Sequence, residues 1–420
     1  MSLKSKTYKL GEQAAKEFWQ KAKHFAYGQS GPFALLENHG EAYPYGPFPF
    51  VLAFGHTDLD RSSNLTDIAW QFGLLPYDYK NELHGLESLK PSLAVANQPA
   101  FFSPGQMVQW DRAKVVLLCQ EPDALFAAIS AWEIEKQIPK PFSYTRTQTT
   151  KYQHYKADIV TIKGEILAGN IYELNYCKPV VYEGVEIDGL ATYHALIAAS
   201  PMPFQFLFRL NGLEVIGSSP ERFLKRMANK LVSQPIKGTA KRLPDLAADR
   251  AQKQAMRKDE KILAENMMIT DLVRNDLMQI CEVGSVQVEE LFKIYSFKNL
   301  HQMITTVSGQ LKASASLNDV WKATFPMGSM TGAPKLNAMR LIDQLEPYQR
   351  GAFSGAFGWK APNQDFDFCV VIRSFFHNLN TSTLWYQTGG AIVWDSTPED
   401  EWEEAKLKAQ ALAKVLAGKK

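Results

Sequence analysis

The residue best suited to nucleophilic chemistry is Lys237, in the short polar segment Ser233–Arg242. Pro235 cannot donate a hydrogen bond to a sheet, and Gly238 leaves open space beside the lysine stem. A lysine amine that is shielded from water loses its proton more readily and becomes a nucleophile. The alternative is a solvated lysine in a basic loop, since two more basic residues follow closely and lysines are mostly exposed.

Two carboxylates near the C-terminus have the spacing of a metal site. Thr397 and Pro398 are typical of a helix start. Glu401, Glu404 and Lys408 follow at steps of three and four residues, and therefore share one helix face. One or two such carboxylates can hold Mg²⁺, which prefers oxygen ligands. The alternative is an acidic first turn that complements the helix dipole, followed by an ordinary ion pair.

A further carboxylate, Glu265, lies in a mostly apolar segment that predicts one long helix from about residue 246 to 280. Buried carboxylates are costly unless they are paired or bind a metal. Glu265 is therefore a third candidate metal ligand. We interpret Asp271, Arg274 and Asp276, which follow in the same segment, as a structural ion-pair network.

Several other residues are suited to binding or protonating an anionic ligand. The loop Gly328–Lys335 precedes a predicted helix, whose N-terminal amides attract carboxylate or phosphate. Arg373 ends a very apolar strand and suits carboxylate binding, while Gly389 and Gly390 permit close approach of a ligand. Glu221, in a turn between predicted strands, is placed as a general acid or base. Each feature has a simpler alternative. Residues 328–335 could be a plain loop, and Arg373 could lie at a sheet edge. The glycine pair could form a β-bulge, and Glu221 could be a solvated acid.

The elements that position these residues are a mixture of strands and unevenly spaced helices. Strands are predicted at Phe33–Asn38, Phe50–Phe54, Arg222–Leu224, Gln302–Val307, Cys369–Phe375 and Thr383–Trp394, and further helices at residues 10–27, Ala124–Lys136, Leu317–Phe325, Lys335–Leu345 and Pro398–Leu416. Because helices and strands do not alternate strictly, the pattern favours an α+β fold. Ile138–Thr150, rich in Ser, Thr and Pro, is the best candidate for a domain linker.

The composition is that of an ordinary globular protein and excludes several function classes. The chain has 420 residues, 21% of them charged, and a formal net charge of +2. This balance gives no electrostatic footprint for nucleic acid or an anionic membrane. The four cysteines are far apart, so neither a zinc site nor a redox dithiol is expected. No apolar run approaches the roughly 20 residues of a membrane span, and we expect a cytoplasmic protein without a signal peptide.

Taken in order, these motifs closely resemble the chorismate-utilising enzymes, which include anthranilate, aminodeoxychorismate and isochorismate synthases. The matching segments lie at Gly169–Asn175, Ser219–Phe223, Pro235–Thr239, Glu265–Asp276, Thr331–Lys335, Gly389–Ser396 and Glu401–Lys408. They cover nearly all of residues 150–412 and are highly specific in combination. The first 140 residues also resemble the family's N-terminal region, through Leu35–Glu37 and Gly73–Tyr79, but are more divergent.

The resemblance implies two packed, largely antiparallel β-sheets flanked by helices. It implies one intertwined unit, with residues 1–140 as the N-terminal region and residues 150–418 as the catalytic region. Chorismate is the implied substrate and Mg²⁺ the implied cofactor. In the implied site, Glu265, Glu401 and Glu404 hold Mg²⁺, Arg373 and the backbone of Gly389 and Gly390 hold substrate carboxylates, Thr239, Thr331 and Lys408 lie nearby, and Glu221 protonates the leaving hydroxyl.

Within this resemblance, Lys237 indicates the subfamily. Anthranilate and isochorismate synthases usually carry alanine at this position, whereas a lysine resembles the aminodeoxychorismate synthases. In that group the lysine is implicated as a nucleophile that adds to the chorismate ring and is then displaced by ammonia, and the product feeds para-aminobenzoate and folate synthesis. Such chemistry predicts a lowered pKa at Lys237. The alternatives are anthranilate synthase component I and a non-catalytic subunit that binds tryptophan or a glutaminase.

Ammonia in this family normally comes from a separate glutaminase subunit. The sequences around Cys119, Cys177, Cys281 and Cys369 do not resemble a glutaminase nucleophile. We therefore expect a glutaminase partner in trans, or the use of free ammonia. We also expect aminobenzoate release to occur elsewhere, because the length leaves no room for a fused lyase.

A few positions depart from the family pattern. Ile262 stands where a second acidic residue often precedes Glu265. Gln302 takes the place of a family histidine, with His301 one residue early, and Ala391 replaces a third glycine. In some relatives the Leu-Leu-Glu region contributes to a tryptophan site, so the candidate residues of such a pocket are Leu36, Glu37 and Asn38.

Overall fold

The computed structural model describes residues 3–40, 42–56, 69–93, 97–134, 142–298 and 300–418. Its helices are α1 (Glu12–Tyr27), α2 (Lys80–His84), α3 (Pro122–Ala131), α4 (Tyr152–Leu167), α5 (Gly189–Ala199), α6 (Leu246–Met256), α7 (Glu260–Ile280), α8 (Leu317–Thr324), α9 (Lys335–Leu345) and α10 (Pro398–Leu416). α10 begins as predicted, because the side chain of Thr397 accepts a hydrogen bond from the backbone of Asp400.

The strands are short and numerous. They are β1 (Lys4–Lys9), β2 (Phe33–Glu37), β3 (Phe50–His56), β4 (Gln71–Leu75), β5 (Ala100–Phe102), β6 (Pro104–Asp111), β7 (Lys114–Cys119), β8 (Arg146–Thr149), β9 (Glu173–Glu183), β10 (Phe204–Leu210), β11 (Leu213–Ser219), β12 (Arg222–Met227), β13 (Lys230–Gln234), β14 (Ile236–Lys241), β15 (Gln287–Ser296), β16 (Leu300–Gln310), β17 (Gly332–Ala333), β18 (Ala356–Lys360), β19 (Phe366–Val370), β20 (Ser374–Asn378) and β21 (Thr383–Ile392).

These strands form two antiparallel sheets. The twelve-stranded sheet has the order β1-β7-β6-β3-β2-β10-β11-β20-β21-β9-β17, with β8 paired to β9. The nine-stranded sheet has the order β14-β16-β13-β12-β19-β18-β4-β5, with β15 paired to β16. Strands from residues 1–140 and from residues 150–418 lie side by side in both sheets, since β2 pairs with β10 and β4 pairs with β18.

The two sheets pack face to face around an apolar core. The rings of Phe206 in β10 and Phe357 in β18 stack with their centroids 4.4 Å apart and so join the sheets directly. A second core on the opposite face of the larger sheet holds α1, α3, α5 and α10, with Trp19 completely buried. A third cluster packs α4 and α9 against β9. The predicted α+β fold with two packed antiparallel sheets is confirmed.

Two predictions about local structure are wrong. The single helix over residues 246–280 is in fact α6 and α7, because the side chain of Asp259 accepts a hydrogen bond from the backbone of Ile262 and starts a new helix. The strand over Cys369–Phe375 is in fact β19 and β20, because Arg373 adopts a left-handed backbone conformation with φ of 54°.

The predicted linker at Ile138–Thr150 is partly a strand. Arg146–Thr149 forms β8 and pairs with β9, whereas the part of the prediction up to residue 141 lies outside the described residues. Helix α3 ends at Ala131, short of the predicted Lys136. Among the described helices, none is long and apolar enough to cross a membrane.

Candidate active site

Lys237 lies in β14 at the point where this strand contacts helix α7. Gly238 has a φ of 90°, a conformation that favours glycine, and a Cβ atom there would lie 2.6 Å from Cγ2 of Ile262. Asn266 in α7 donates a hydrogen bond of 3.4 Å to the Lys237 carbonyl. The backbone around Lys237 is therefore fixed, and the apolar Ile262 fills the contact between helix and strand.

The ammonium group of Lys237 forms a buried ion pair with Glu173, at the start of β9. Nζ lies 2.6 Å from Oε1, and the two side chains are 9% and 1% exposed. Burial acts to lower the pKa of Lys237, but the nearby charges of Glu173, Glu265 and Glu221 outweigh burial and raise it. This direction is opposite to the lowered pKa expected from the sequence, and its cause is the charge of the three carboxylates around the amine.

Glu221 faces the same site from the turn between β11 and β12. Its Oε1 accepts a hydrogen bond of 2.7 Å from the hydroxyl of Ser329. Burial raises its pKa from 4.5 to about 7, although the Ser329 hydrogen bond and the charge of Lys237 oppose the shift. A carboxyl group with this pKa retains its proton in a large fraction of molecules at neutral pH, and is suited to act as a general acid.

Ser329 and Thr331 belong to a buried loop that Arg350 holds in place. The guanidinium of Arg350 donates a hydrogen bond of 2.7 Å to the carbonyl of Met330 and forms a buried ion pair with Glu346. The Thr331 side chain is completely buried, and its hydroxyl donates to carbonyl oxygens within the loop. Thr331 thus helps to fix the loop that carries Ser329 to Glu221.

Helix α10 places its predicted polar face against the glycine pair of β21. A Cβ atom at Gly390 would lie 3.0 Å from Oε2 of Glu401 and 3.4 Å from Oε1 of Glu404. Lys408 Nζ lies 2.6 Å from Glu404 and donates a hydrogen bond of 2.9 Å to the Gly389 carbonyl. The missing side chain at Gly390 therefore makes room for both carboxylates.

Glu401 has one oxygen atom without a partner. Oε1 accepts a hydrogen bond of 2.6 Å from Ser396, whereas Oε2 is buried and has no hydrogen-bond partner. Burial raises the pKa of Glu401, and the Ser396 hydrogen bond opposes that shift. Because buried carboxylate oxygens are normally bonded, an unpartnered one is suited to bind a cation.

Lys261 in α7 lies among the predicted metal ligands. Its Nζ is 3.6 Å from Glu401 and 4.0 Å from Glu265. Burial raises the pKa of Glu265, and the charge of Lys237 opposes the shift. Across the described ranges, no three His, Cys, Asp or Glu side chains converge closely enough to hold a metal ion as they stand. Lys261 and Lys408 thus compensate part of the negative charge of Glu265, Glu401 and Glu404.

Arg373 lies half-buried at the break between β19 and β20. Its φ of 54° is rare for a residue with a side chain, and such strained positions are concentrated at functional sites. Burial lowers the pKa of Arg373, and the carboxylate of Glu404 opposes this shift, so the guanidinium lies within the field of α10. Arg373 is thus a cationic group beside the carboxylate cluster.

Thr239 lies outside this cluster, as do Gln302 and Ala391, two positions that depart from the family pattern. Thr239 has an exposed side chain and pairs with Gln302 of β16, whose Oε1 is buried without a partner. His301 instead forms a hydrogen bond of 3.0 Å with Asp249. Ala391 lies opposite Asn175 in the β21–β9 ladder. His301 therefore belongs to a separate polar cluster.

The predicted tryptophan-pocket residues lie in β2 and just after it, where Glu37 contacts side chains of α1. Glu37 accepts hydrogen bonds of 2.6 Å from the indole of Trp19 and 2.7 Å from the hydroxyl of Tyr193. Leu36 is completely buried, and Asn38 donates a hydrogen bond of 2.6 Å to the carbonyl of Phe48. The polar groups proposed for a bound tryptophan are thus engaged by the protein itself.

Sequence reasoning gave no role to Glu173 or Lys261, and it considered Ser329 only as part of the loop Gly328–Lys335 and not as a partner of Glu221. Glu173 is 64 residues from Lys237, and Ser329 is 108 residues from Glu221, so no local spacing links either pair. For Glu173 a signal was available, since it is an acidic residue at the start of a strand whose next residues are largely apolar and buried. The assembled site combines an amine, a proton donor and a carboxylate cluster with cationic neighbours.

The chain belongs to the chorismate binding enzyme family, whose model matches residues 11–414. It is 40% identical to an aminodeoxychorismate synthase of Streptomyces pristinaespiralis over 270 residues. This aligned region makes up 63% of this chain and 37% of that protein. It is 37% identical to anthranilate synthase component 1 of Bacillus subtilis strain 168 over 262 residues. That aligned region makes up 62% of this chain and 50% of that protein. The chain therefore spans half or less of the length of these two relatives.

Solved structures with the same fold cover almost the whole chain. Anthranilate synthase component I from Streptococcus pneumoniae TIGR4 superposes with a TM-score of 0.72 at 21% identity, over 98% of this chain and 92% of the other. The menaquinone-specific isochorismate synthase of Escherichia coli superposes with a TM-score of 0.77 at 17% identity, over 99% and 94%. The protein has the fold of anthranilate synthase component I.

Proposed function

We propose that the protein converts chorismate and ammonia to aminodeoxychorismate, the reaction of aminodeoxychorismate synthase component I. The observation that carries this proposal is the position of Lys237, whose amine is buried beside Glu173 and within the field of Glu221. A nucleophile and a proton donor are both needed to exchange a ring hydroxyl for an amino group. Similarity to an aminodeoxychorismate synthase supports the same reaction.

In the proposed reaction, cationic groups hold the two substrate carboxylates. We assign this task to the guanidinium of Arg373 and the ammonium of Lys408. The backbone of Gly389 and Gly390 is assigned to the same task. Lys237 adds to the ring as the hydroxyl departs, and Glu221 gives its proton to that hydroxyl so that water leaves. Ammonia then displaces the lysine, and the product would supply para-aminobenzoate and folate synthesis.

Mg²⁺ is the proposed cofactor, and Glu265, Glu401 and Glu404 would hold it. The buried, unpartnered Oε2 of Glu401 fits this role, as do the hard carboxylate donors. When bound, the ion would compensate the charge of a substrate carboxylate. Lys261 and Lys408, which now form ion pairs with the same carboxylates, would then be available to other anionic groups.

We propose that a glutaminase subunit supplies the ammonia in trans. All four cysteines of the chain are free and buried, and burial raises the pKa of Cys177 to about 12. Such thiols are poor nucleophiles, since the thiolate is the reactive form. None of them is therefore suited to hydrolyse glutamine.

The test is to incubate the purified chain with chorismate, ammonium and Mg²⁺ and to identify the product by mass. Aminodeoxychorismate is expected. Lys237→Ala should abolish or redirect turnover, whereas Lys241→Ala, an exposed lysine in the same strand, should behave like the wild type. An anthranilate product would instead assign the protein to anthranilate synthase component I. Absence of any turnover with all three components would favour the non-catalytic subunit.

A further inference from the structure

Glu173 occupies an unusual place in the site. It is completely buried at the start of β9, and its Oε1 is 2.6 Å from Nζ of Lys237. Its second oxygen, Oε2, is also buried and has no hydrogen-bond partner. The carboxylate therefore makes one hydrogen bond through Oε1, to the amine that the proposed reaction uses. Its other oxygen, Oε2, accepts none.

The charged groups around Lys237 come from four elements. Glu173 approaches from β9, Glu221 from the turn before β12, Glu265 from α7 and Glu404 from α10. Among these four described carboxylates, Glu173 is the one in hydrogen-bond contact with the ammonium, while the other three act through space. The buried ion pair with Glu173, with Nζ 2.6 Å from Oε1, favours the ammonium form of Lys237, which is the wrong form for a nucleophile. A proton must therefore leave the amine inside the site.

Glu173 is the acceptor best placed to take that proton. Transfer along a 2.6 Å hydrogen bond within the pair leaves the net charge of the buried site unchanged, whereas release to solvent would not. Glu221 already accepts a hydrogen bond from Ser329 and is needed in its protonated form for the leaving hydroxyl. The two carboxyl groups therefore have opposite tasks, since Glu173 accepts a proton and Glu221 donates one.

We propose that Glu173 is the general base that converts the ammonium of Lys237 into the amine nucleophile, an inference that rests on the amination proposed above. Glu173 takes one proton from Nζ. The Nζ lone pair then forms the bond to the ring, the ring double bond shifts, and the C–O bond breaks with its electron pair on the hydroxyl, which Glu221 protonates to water.

The second half of the reaction restores both groups. Ammonia forms a bond to the ring as the bond to Nζ breaks, and Lys237 leaves as a neutral amine. Glu173 returns its proton to Lys237, and the new ring ammonium gives a proton to Glu221. The overall change is chorismate plus ammonia to aminodeoxychorismate plus water, with every protein group returned to its starting form.

The rival explanation is that Glu173 only orients Lys237. The test omits ammonia, so that the lysine adduct accumulates, and follows the mass of the intact protein after rapid quenching. Wild type should form the adduct and Lys237→Ala should not. In Glu173→Gln, which keeps the size and an acceptor oxygen, adduct formation should slow by about 10²–10⁴-fold at neutral pH and recover as the pH rises.

The outcomes separate this proposal from the proposed function. If the wild type forms no adduct, the lysine mechanism itself is wrong, and the role of Glu173 is overturned with it. If the wild type forms the adduct but Glu173→Gln reacts at a similar rate, or is slowed by the same factor at every pH, Glu173 only orients the lysine. Should Glu173→Gln fail to fold, Glu173→Ala with added formate replaces it, and rescue that rises with formate concentration is expected.

Discussion

Replacing Glu221 with glutamine should make the protein more stable while it removes the proposed proton donor. The glutamine side chain has the same shape, and its oxygen can still accept the hydrogen bond from Ser329. It has no carboxyl group to ionise. The substitution therefore removes the cost of burying a negative charge at this position and keeps the hydrogen bond from Ser329.

The expected magnitude follows from the pKa of Glu221. Its folded-state pKa is about 7 against an ordinary value of 4.5, and each pKa unit corresponds to about 1.4 kcal/mol. Because the folded pKa is raised, the favourable contribution is complete below pH 4.5 and is lost as the pH rises through 7. At pH 8.5, Glu221→Gln should thus exceed the wild type in free energy of unfolding by roughly 3 kcal/mol.

Urea unfolding of both proteins between pH 4 and pH 9, followed by tryptophan fluorescence and circular dichroism, measures this difference. Near pH 4 the two curves should nearly coincide, and they should separate between pH 5 and pH 8. Glu186→Gln, at an exposed carboxylate, is the matched control and should follow the wild type throughout. A stability difference that stays constant with pH would refute the reasoning, since only ionisation of Glu221 makes it pH-dependent.

Three further predictions concern the same site. Ser329→Ala removes a hydrogen bond that favours the ionised form of Glu221, so the alkaline limb of kcat should move to higher pH in initial-rate assays. Gly389→Ala would place a Cβ atom 1.9 Å from the carbonyl oxygen of Tyr176 and should lower the unfolding free energy by about 3 kcal/mol in urea titrations. In Gly390→Ala the new Cβ atom would meet only the ends of flexible side chains, so this variant should be nearly as stable as the wild type. If Gly390→Ala unfolds as readily as Gly389→Ala, the argument is contradicted. Removal of Mg²⁺ with a chelator should abolish turnover until Mg²⁺ is added back, with little change in melting temperature, because Lys261 and Lys408 already form ion pairs with the carboxylates.

The sequence predicts those elements best that carry their own boundary signals. Helix α10 was predicted with both its ends because Thr397 and Pro398 define its start and a three-and-four spacing continues to Leu416. The same argument fails for α7, because Asp259 lies within a continuous helical pattern and acts as a cap only in the folded chain. The break at Arg373 has no local signal at all, since the surrounding residues favour a continuous strand.

The site was predictable where its residues share an element and unpredictable where they meet across the fold. Glu401, Glu404 and Lys408 lie on one helix face, so their spacing was enough to group them. The pairing of Lys237 with Glu173 depends on two strands in different sheets, so sequence patterns identify the candidate nucleophile but not its partner. The direction of the Lys237 pKa shift differs from the expectation for the same reason, since it depends on carboxylates that only the tertiary structure brings near.

The balance of charge in the site has a consequence for the order of events. Its described charged groups, Glu221 aside, are four carboxylates and four cations, namely Glu173, Glu265, Glu401 and Glu404 with Lys237, Lys261, Lys408 and Arg373. A dicarboxylate substrate or a divalent cation that bound alone would leave two uncompensated charges in a partly buried site. When the dicarboxylate and the divalent cation bind together, their charges cancel, and the site gains no uncompensated charge. The affinity for each should therefore rise when the other is present, and by the same factor, so that the enzyme commits its site only when both are in place.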